Sequence, residues 1–293
     1  MDELQLLKDI WGEVDKQPTE IKTGFLAIIA KATGLLFGHK KSEDSIKKAE
    51  AYLVQQIKND SNMPPLLKAA TISKSKKILR EYINQNDIVN MAMDYLTDNA
   101  EPDKIETEWL SYFFDNAKHV EKEDIQIIWA KILAKESETS GKFSKRLLQI
   151  LSTISNYEAE LFVNLLKFSY YIDDEIEKDF NILYDKSSNQ EIYKDEGIEI
   201  SKLIRLKETG LIEIDPDGFA NDVTTTYNYK QGIKIVYRDE SFTFYPNNPK
   251  GISTGIVILT DAGASLLGLI EPIKVEGFFN ILKNYYEKLG KTV

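Results

Sequence analysis

Residues 199–214 read EISKLIRLKETGLIEI, and this stretch decides the fold. Ile200, Leu203, Ile204 and Leu206 recur at helical spacing up to Thr209-Gly210. Gly210 is where the helix should stop, because a C-cap residue often needs positive φ. Leu211-Ile212-Glu213-Ile214 then reads as the start of a strand. Further on, Leu259-Thr260-Asp261-Ala262-Gly263 ends a strand and caps a new helix that carries Leu266, Leu267 and Ile270.

Helix, "GLI" strand, return strand and "LT-x-x-G" helix together resemble a winged-helix module. In such a module the helix before the "GLI" strand is the reading helix, so Lys202, Arg205 and Lys207 become candidate DNA contacts. About 47 residues separate the two halves, longer than an ordinary wing, which implies an inserted hairpin. Val223–Tyr229 and Ile233–Tyr237 flank Lys230-Gln231-Gly232 as that hairpin, with further strands at Ser241–Tyr245 and Ile256–Leu259. A closing helix is expected over 276–289, with Phe278, Phe279, Leu282, Tyr285 and Tyr286.

The residues before this module read as helices, over 45–59, 66–83, 86–97, 105–118 and 123–136, with Pro64-Pro65 as a break. Ile125, Ile128, Trp129, Ile132 and Leu133 form the plainest core-facing stripe, so Trp129 reads as core rather than as a stacking platform. Ser144 can cap the helix that follows, and Ser155-Asn-Tyr-Glu158 has capping-box spacing. The expected class is α+β: a mainly α-helical bundle over 1–156, then an expanded winged-helix-like domain over 157–293 with a small antiparallel sheet.

The chain has 293 residues, 37 Lys+Arg, 47 Asp+Glu, two His and no Cys, for a net charge of -10. That length supports a real core. Zero Cys removes disulfides, thiolate metal sites and a Cys nucleophile, and His39 and His119 cannot alone build a multi-histidine metal site. Charge is unevenly spread. Residues 21–80 carry twelve bases and four acids, whereas 157–293 carry fifteen bases and twenty-three acids. Phosphate binding by the reading helix would work against that second field, so a structural or protein-binding role is favoured over DNA reading.

The basic segment includes Lys40, Lys41, Lys47, Lys48, Lys68, Lys74, Lys76, Lys77 and Arg80, a candidate anion- or membrane-contacting set. It follows the apolar run Gly24–Gly38, GFLAIIAKATGLLFG, which is too short to span a bilayer and is interrupted by Lys31. A buried helix is the plainer reading of the run. With no positive n-region before an apolar stretch, the chain is expected to be cytoplasmic.

Catalytic motifs are sparse. There is no HExxH, no G-x-S-x-G and no dinucleotide fingerprint, and Gly251-x-x-x-Gly255 lacks the Gly-Lys-Ser/Thr ending of a phosphate loop. Asp173, Asp174 and Glu177 could bind Mg²⁺, but a solvated acidic helix start explains them more simply. His119 reads as a decoration of a helix C-terminus, and His39, beside Lys40 and Lys41, reads the same way. No cofactor is expected and no enzymatic activity is indicated.

Trp109–Ala117, Glu123–Glu136 and Gly141–Leu151 resemble an uncharacterised bacterial family known as domain of unknown function 2806, and the "LT-x-x-G" element is similar to that family's ending. The resemblance implies a bacterial, intracellular protein and carries over no catalytic residue. Glu136 and Arg146, at the edges of the best-matched helices, are expected to form a structural ion pair. Partners are expected to be proteins, a second copy of the chain among them.

Overall fold

The structure, a computed structural model, describes residues 20–35, 37–38, 43–173, 178–184, 190–221 and 229–293. It divides into two compact units, Met1–Ser152 and Thr153–Val293.

The first unit holds α1 (Glu20–Thr33), α2 (Glu43–Asn59), α3 (Pro65–Tyr95), α4 (Thr107–Ala117), α5 (Glu123–Glu138) and most of α6 (Lys145–Thr153). The apolar run is core: Phe25, Leu26, Ile29, Ala30 and Phe37 are buried. Phe37 stacks on Phe114, and Trp129 meets Phe113 edge-on with centroids 5.0 Å apart. Such aromatic geometry adds about 0.5–1.5 kcal/mol per pair beyond area burial.

Where the sequence suggests two helices over 66–97, the structure has one, α3, 31 residues long. The polar stretch Asn84-Gln85-Asn86-Asp87 does not interrupt it, because those amides find partners across the core. Asn84 donates to the Lys118 carbonyl and Gln85 to the Phe114 carbonyl, each at 2.9 Å. Both carbonyls belong to the C-terminal end of α4, where acceptors run out of intrahelical donors; the Phe114 carbonyl also takes the Lys118 N–H. Pro65 begins α3, at a position whose N–H has no intrahelical acceptor anyway.

The second unit holds α7 (Asn156–Leu166), β1 (Ser169–Asp173), β2 (Lys178–Ile182), α8 (Gln190–Asp195), α9 (Ile200–Glu208), β3 (Ile212–Asn221), β4 (Ile233–Tyr237), β5 (Glu240–Pro246), β6 (Ile252–Leu259), α10 (Asp261–Leu267), α11 (Phe278–Glu287) and β7 (Gly290–Thr292). The class is α+β. The sheet is larger than expected: among the described residues it has seven strands, all paired antiparallel, in the order β3-β6-β2-β1-β4-β5-β7. α11 covers it with Phe278, Leu282 and Tyr286, and Tyr286 packs edge-on against Phe244.

The segment that opened the reading closes on itself. β3 pairs with β6 from Ile212↔Leu259 onward. Thr260 donates its side-chain hydroxyl to the Gly210 carbonyl at 2.7 Å and its N–H to the Leu211 carbonyl. The same hydroxyl accepts from Gly263 N–H and caps α10. Gly210 ends α9 with φ +82°, and a methyl at Gly263 would overlap the Leu211 carbonyl oxygen.

Two local expectations need correction. β4 forms its hairpin with β5, turning at Arg238-Asp239, while Tyr229–Gln231 is a short 3-10 turn; residues 223–228 lie outside the described residues. The expected acidic helix start is not a helix at its ends: residues 169–173 and 178–182 are paired strands, and Asp174, Glu175 and Glu177 lie outside the described residues.

Candidate functional site

The local sequence places α9 with one face in and one face out. Leu203 and Leu206 are buried, whereas Ile204 is 54% exposed and Ile200 38%. Ile200 and Ile204 are one helical turn apart on the outer face. Tyr157, in the first turn of α7, is also exposed, and the Arg205 guanidinium lies over its ring at 5.3 Å.

All three candidate DNA contacts sit here, and each faces an acid. Lys202 Nζ is 3.2 Å from Glu199 Oε1 and donates to the Gly197 carbonyl. Arg205 Nε is 3.3 Å from Glu158 Oε1. Lys207 Nζ is 3.2 Å from Glu213 Oε2. Exposed pairs of this kind contribute only about 0–1 kcal/mol each, so the cations are not locked. The acids nevertheless stay beside the helix and cancel its positive field.

Glu158 has a second task. Ser155 and Glu158 form the capping box of α7: the Ser155 hydroxyl accepts from Glu158 N–H while Glu158 Oε2 accepts from Ser155 N–H at 2.9 Å. Hydrogen bonds from Ser155, and then from Arg205, hold the Glu158 carboxyl below the usual carboxylate range. One carboxylate thus caps α7 and neutralises α9.

The basic set falls elsewhere. Lys47 and Lys48 lie exposed on α2; Lys74, Lys76, Lys77 and Arg80 lie exposed on α3. Lys76 is 3.5 Å from Glu50 and Lys77 is 3.7 Å from Glu81. Lys40, Lys41 and His39 lie outside the described residues. His119 is exposed, just past α4, where its N–H donates to the Asn116 carbonyl. Beside the basic set an open cleft of about 470 Å³ is lined by Leu35, Leu53, Ile78, Leu79 and Tyr82. Burial pushes the Tyr82 hydroxyl up to about 12. The sequence offered Leu53 and Leu79 as ordinary helix positions and held no signal for the cleft.

Glu136 does not pair with exposed Arg146. Its buried carboxylate accepts from the N–H groups of Gly141 and Phe143 instead, holding the turn between α5 and α6. Desolvation raises its pKa, against the lowering effect of those backbone donors. Arg238 also escaped the sequence reading. It occupies the β4–β5 turn at φ +56°, and its guanidinium donates to the carbonyls of Leu166, Lys167 and Ser169 at 3.0–3.1 Å. It therefore caps the C-terminal end of α7.

Among the described residues no cluster of His, Asp or Glu is arranged to hold a metal ion, and no helix is long and apolar enough to cross a membrane. A family model described as a protein of unknown function, DUF2806, matches residues 72–283. No curated protein and no solved structure matches the chain.

Proposed function

The chain belongs to the DUF2806 family of proteins of unknown function, and from that premise we propose a non-enzymatic interaction protein whose α+β unit docks a protein partner on the outer face of α9. The reading rests on one observation. The helix that winged-helix syntax would use to read DNA has its three cations opposed by Glu199, Glu158 and Glu213, while Ile200 and Ile204 face outward. Apolar side chains rimmed by mixed charge suit a protein surface, whereas a polyanion needs a net positive field.

Comparative affinity capture from the native cell tests it. Proteins retained by the wild-type chain should be lost with Ile200→Asp/Ile204→Asp and kept with Lys202→Ala/Arg205→Ala. Capture that depends on the cations and not on the isoleucines would contradict the reading.

The alternative of a DNA-binding regulator has Lys202, Arg205 and Lys207 in its favour and the local acids against it. Peripheral membrane association through residues 21–80 would rest on the basic residues, since Phe25, Leu26, Ile29 and Phe37 of the apolar run are buried. Co-sedimentation with anionic liposomes at low salt separates that alternative from the other two.

A further inference from the structure

Residues 46–83, comprising nearly all of α2 and the first nineteen residues of α3, contain no buried side chain. Lys76 beside Glu50, and Lys68 donating to the Lys58 carbonyl, set the two helices as an antiparallel pair. α2 is amphipathic, and the pair alone cannot cover both its apolar face and the apolar side chains that α3 presents. Leu53, Ile57, Ile72 and Leu79 are only half-buried. Tyr52, Leu66, Leu67 and Ile78 are each more than half exposed. At the base of the pair lies the 470 Å³ cleft, with Leu53 on one helix, Ile78 and Leu79 on the other, and Lys118 of α4 across from them.

We propose that this cleft is a docking groove for an acidic amphipathic helix of a partner protein, which completes a three-helix arrangement with α2 and α3. Charge selects the occupant. From Ile46 to Arg80 the chain carries eight bases and only two acids, Glu50 and Asp60. Two acids line the cleft, Glu81 and Asp115, and each is bridged to a lysine, Lys77 and Lys118. A second copy would set one net-positive pair against another, at a cost. A nucleic acid would leave the exposed apolar side chains unused. A membrane plane needs a flat or convex apolar face, whereas Leu53 and Leu79 sit inside a concave cleft. An apolar stripe on the incoming helix would meet Leu53, Ile78 and Leu79, with its acids toward Lys118 and toward Lys74, one turn before Ile78. This surface belongs to the helical unit and stands independently of the α9 face.

The test titrates the full chain into two fluorescent helical peptides that share one leucine stripe, with glutamate or lysine at the remaining positions. The glutamate peptide should bind at least about tenfold tighter, with affinity falling as salt rises. Ile78→Glu should weaken it at least about tenfold, with helix content unchanged. Lys74→Glu, at an exposed position one turn before Ile78, should weaken it and lessen the salt dependence. Equal binding of the two peptides, or indifference to these variants, overturns the proposal. So does Ile78-dependent co-sedimentation with anionic vesicles in the absence of peptide binding, which would give the groove to a membrane. A concentration-dependent dimer abolished by Ile78→Glu overturns it in favour of a second copy.

Discussion

Four residues carry more of the architecture than their positions in the sequence advertise. Arg238 is the clearest. Its planar fork reaches three carbonyls around the end of α7 from two nitrogens, a spread that the single nitrogen of an ammonium does not reproduce. Arg238→Lys should therefore cost roughly 1.5–3 kcal/mol in chemical denaturation, since bonds from a charged donor to buried carbonyls are lost. A loss below about 0.5 kcal/mol would show that the cap is idle. Glu136→Ala leaves two N–H groups unpaired and should cost roughly 2–4 kcal/mol at neutral pH. The sign of its pH dependence follows from the raised pKa. The folded chain takes up this proton at a higher pH than the unfolded chain does, so this group's contribution grows as pH falls from neutral through the folded-state pKa. The stability gap between wild type and Glu136→Ala should widen over that descent. Tyr170 and Tyr286, both buried, share one hydrogen bond of 2.8 Å. Tyr286→Phe orphans the Tyr170 hydroxyl and should cost about 1–3 kcal/mol, whereas the double Phe variant should recover much of that loss. None of these roles was legible in the sequence: Arg238 and the tyrosine pair join residues far apart in the chain, Glu136 binds backbone N–H groups of the next turn, and a lone Arg, Glu or Tyr carries no periodicity.

Elements were more legible where one face is apolar and one polar. The stripes through Trp129 and Leu203, the Ser155 capping box and the closing helix at Phe278 follow from spacing alone, because burial selects a 3.6-residue period. The misreadings share a cause. Asn84-Gln85, left between the helices read over 66–83 and 86–97, looks like a break because Asn disfavours helix, while cross-core acceptors on α4 override it. β1 and β2 are short, and the acids between them imitate a helix start. The spacing puts the hairpin turn at Lys230–Gly232, and Gly232 does adopt positive φ, but β4 turns into β5 at Arg238, which adopts positive φ as well. The α9–β3 and β6–α10 junctions, by contrast, were visible through Gly210 and the Thr260-x-x-Gly263 spacing. Gly263→Ala should destabilise the protein by about 2–3 kcal/mol, because its methyl must displace the Leu211 carbonyl that Thr260 also binds. Ser265→Ala, half-buried in the same helix with its hydroxyl turned back to the Asp261 carbonyl, should stay within about 0.5 kcal/mol and serves as its control in thermal unfolding.

At the scale of the whole molecule, charge and syntax pull in opposite directions. The order helix, "GLI" strand and "LT-x-x-G" helix resembles that of a winged-helix DNA reader, while the residues from 157 onward carry eight more acids than bases. The acids are also local: Glu158, Glu199 and Glu213 each stand against one candidate contact. The sequence could supply the sign of the field but not its placement, since Glu158 reaches Arg205 from another helix. The decisive measurement is the affinity of the full chain for duplex DNA as a function of salt. Binding should be weak, with a salt slope that does not change when Lys202 and Arg205 are both replaced by alanine. A wild-type slope that falls by about two in the double variant, about one per phosphate contact removed, would contradict it.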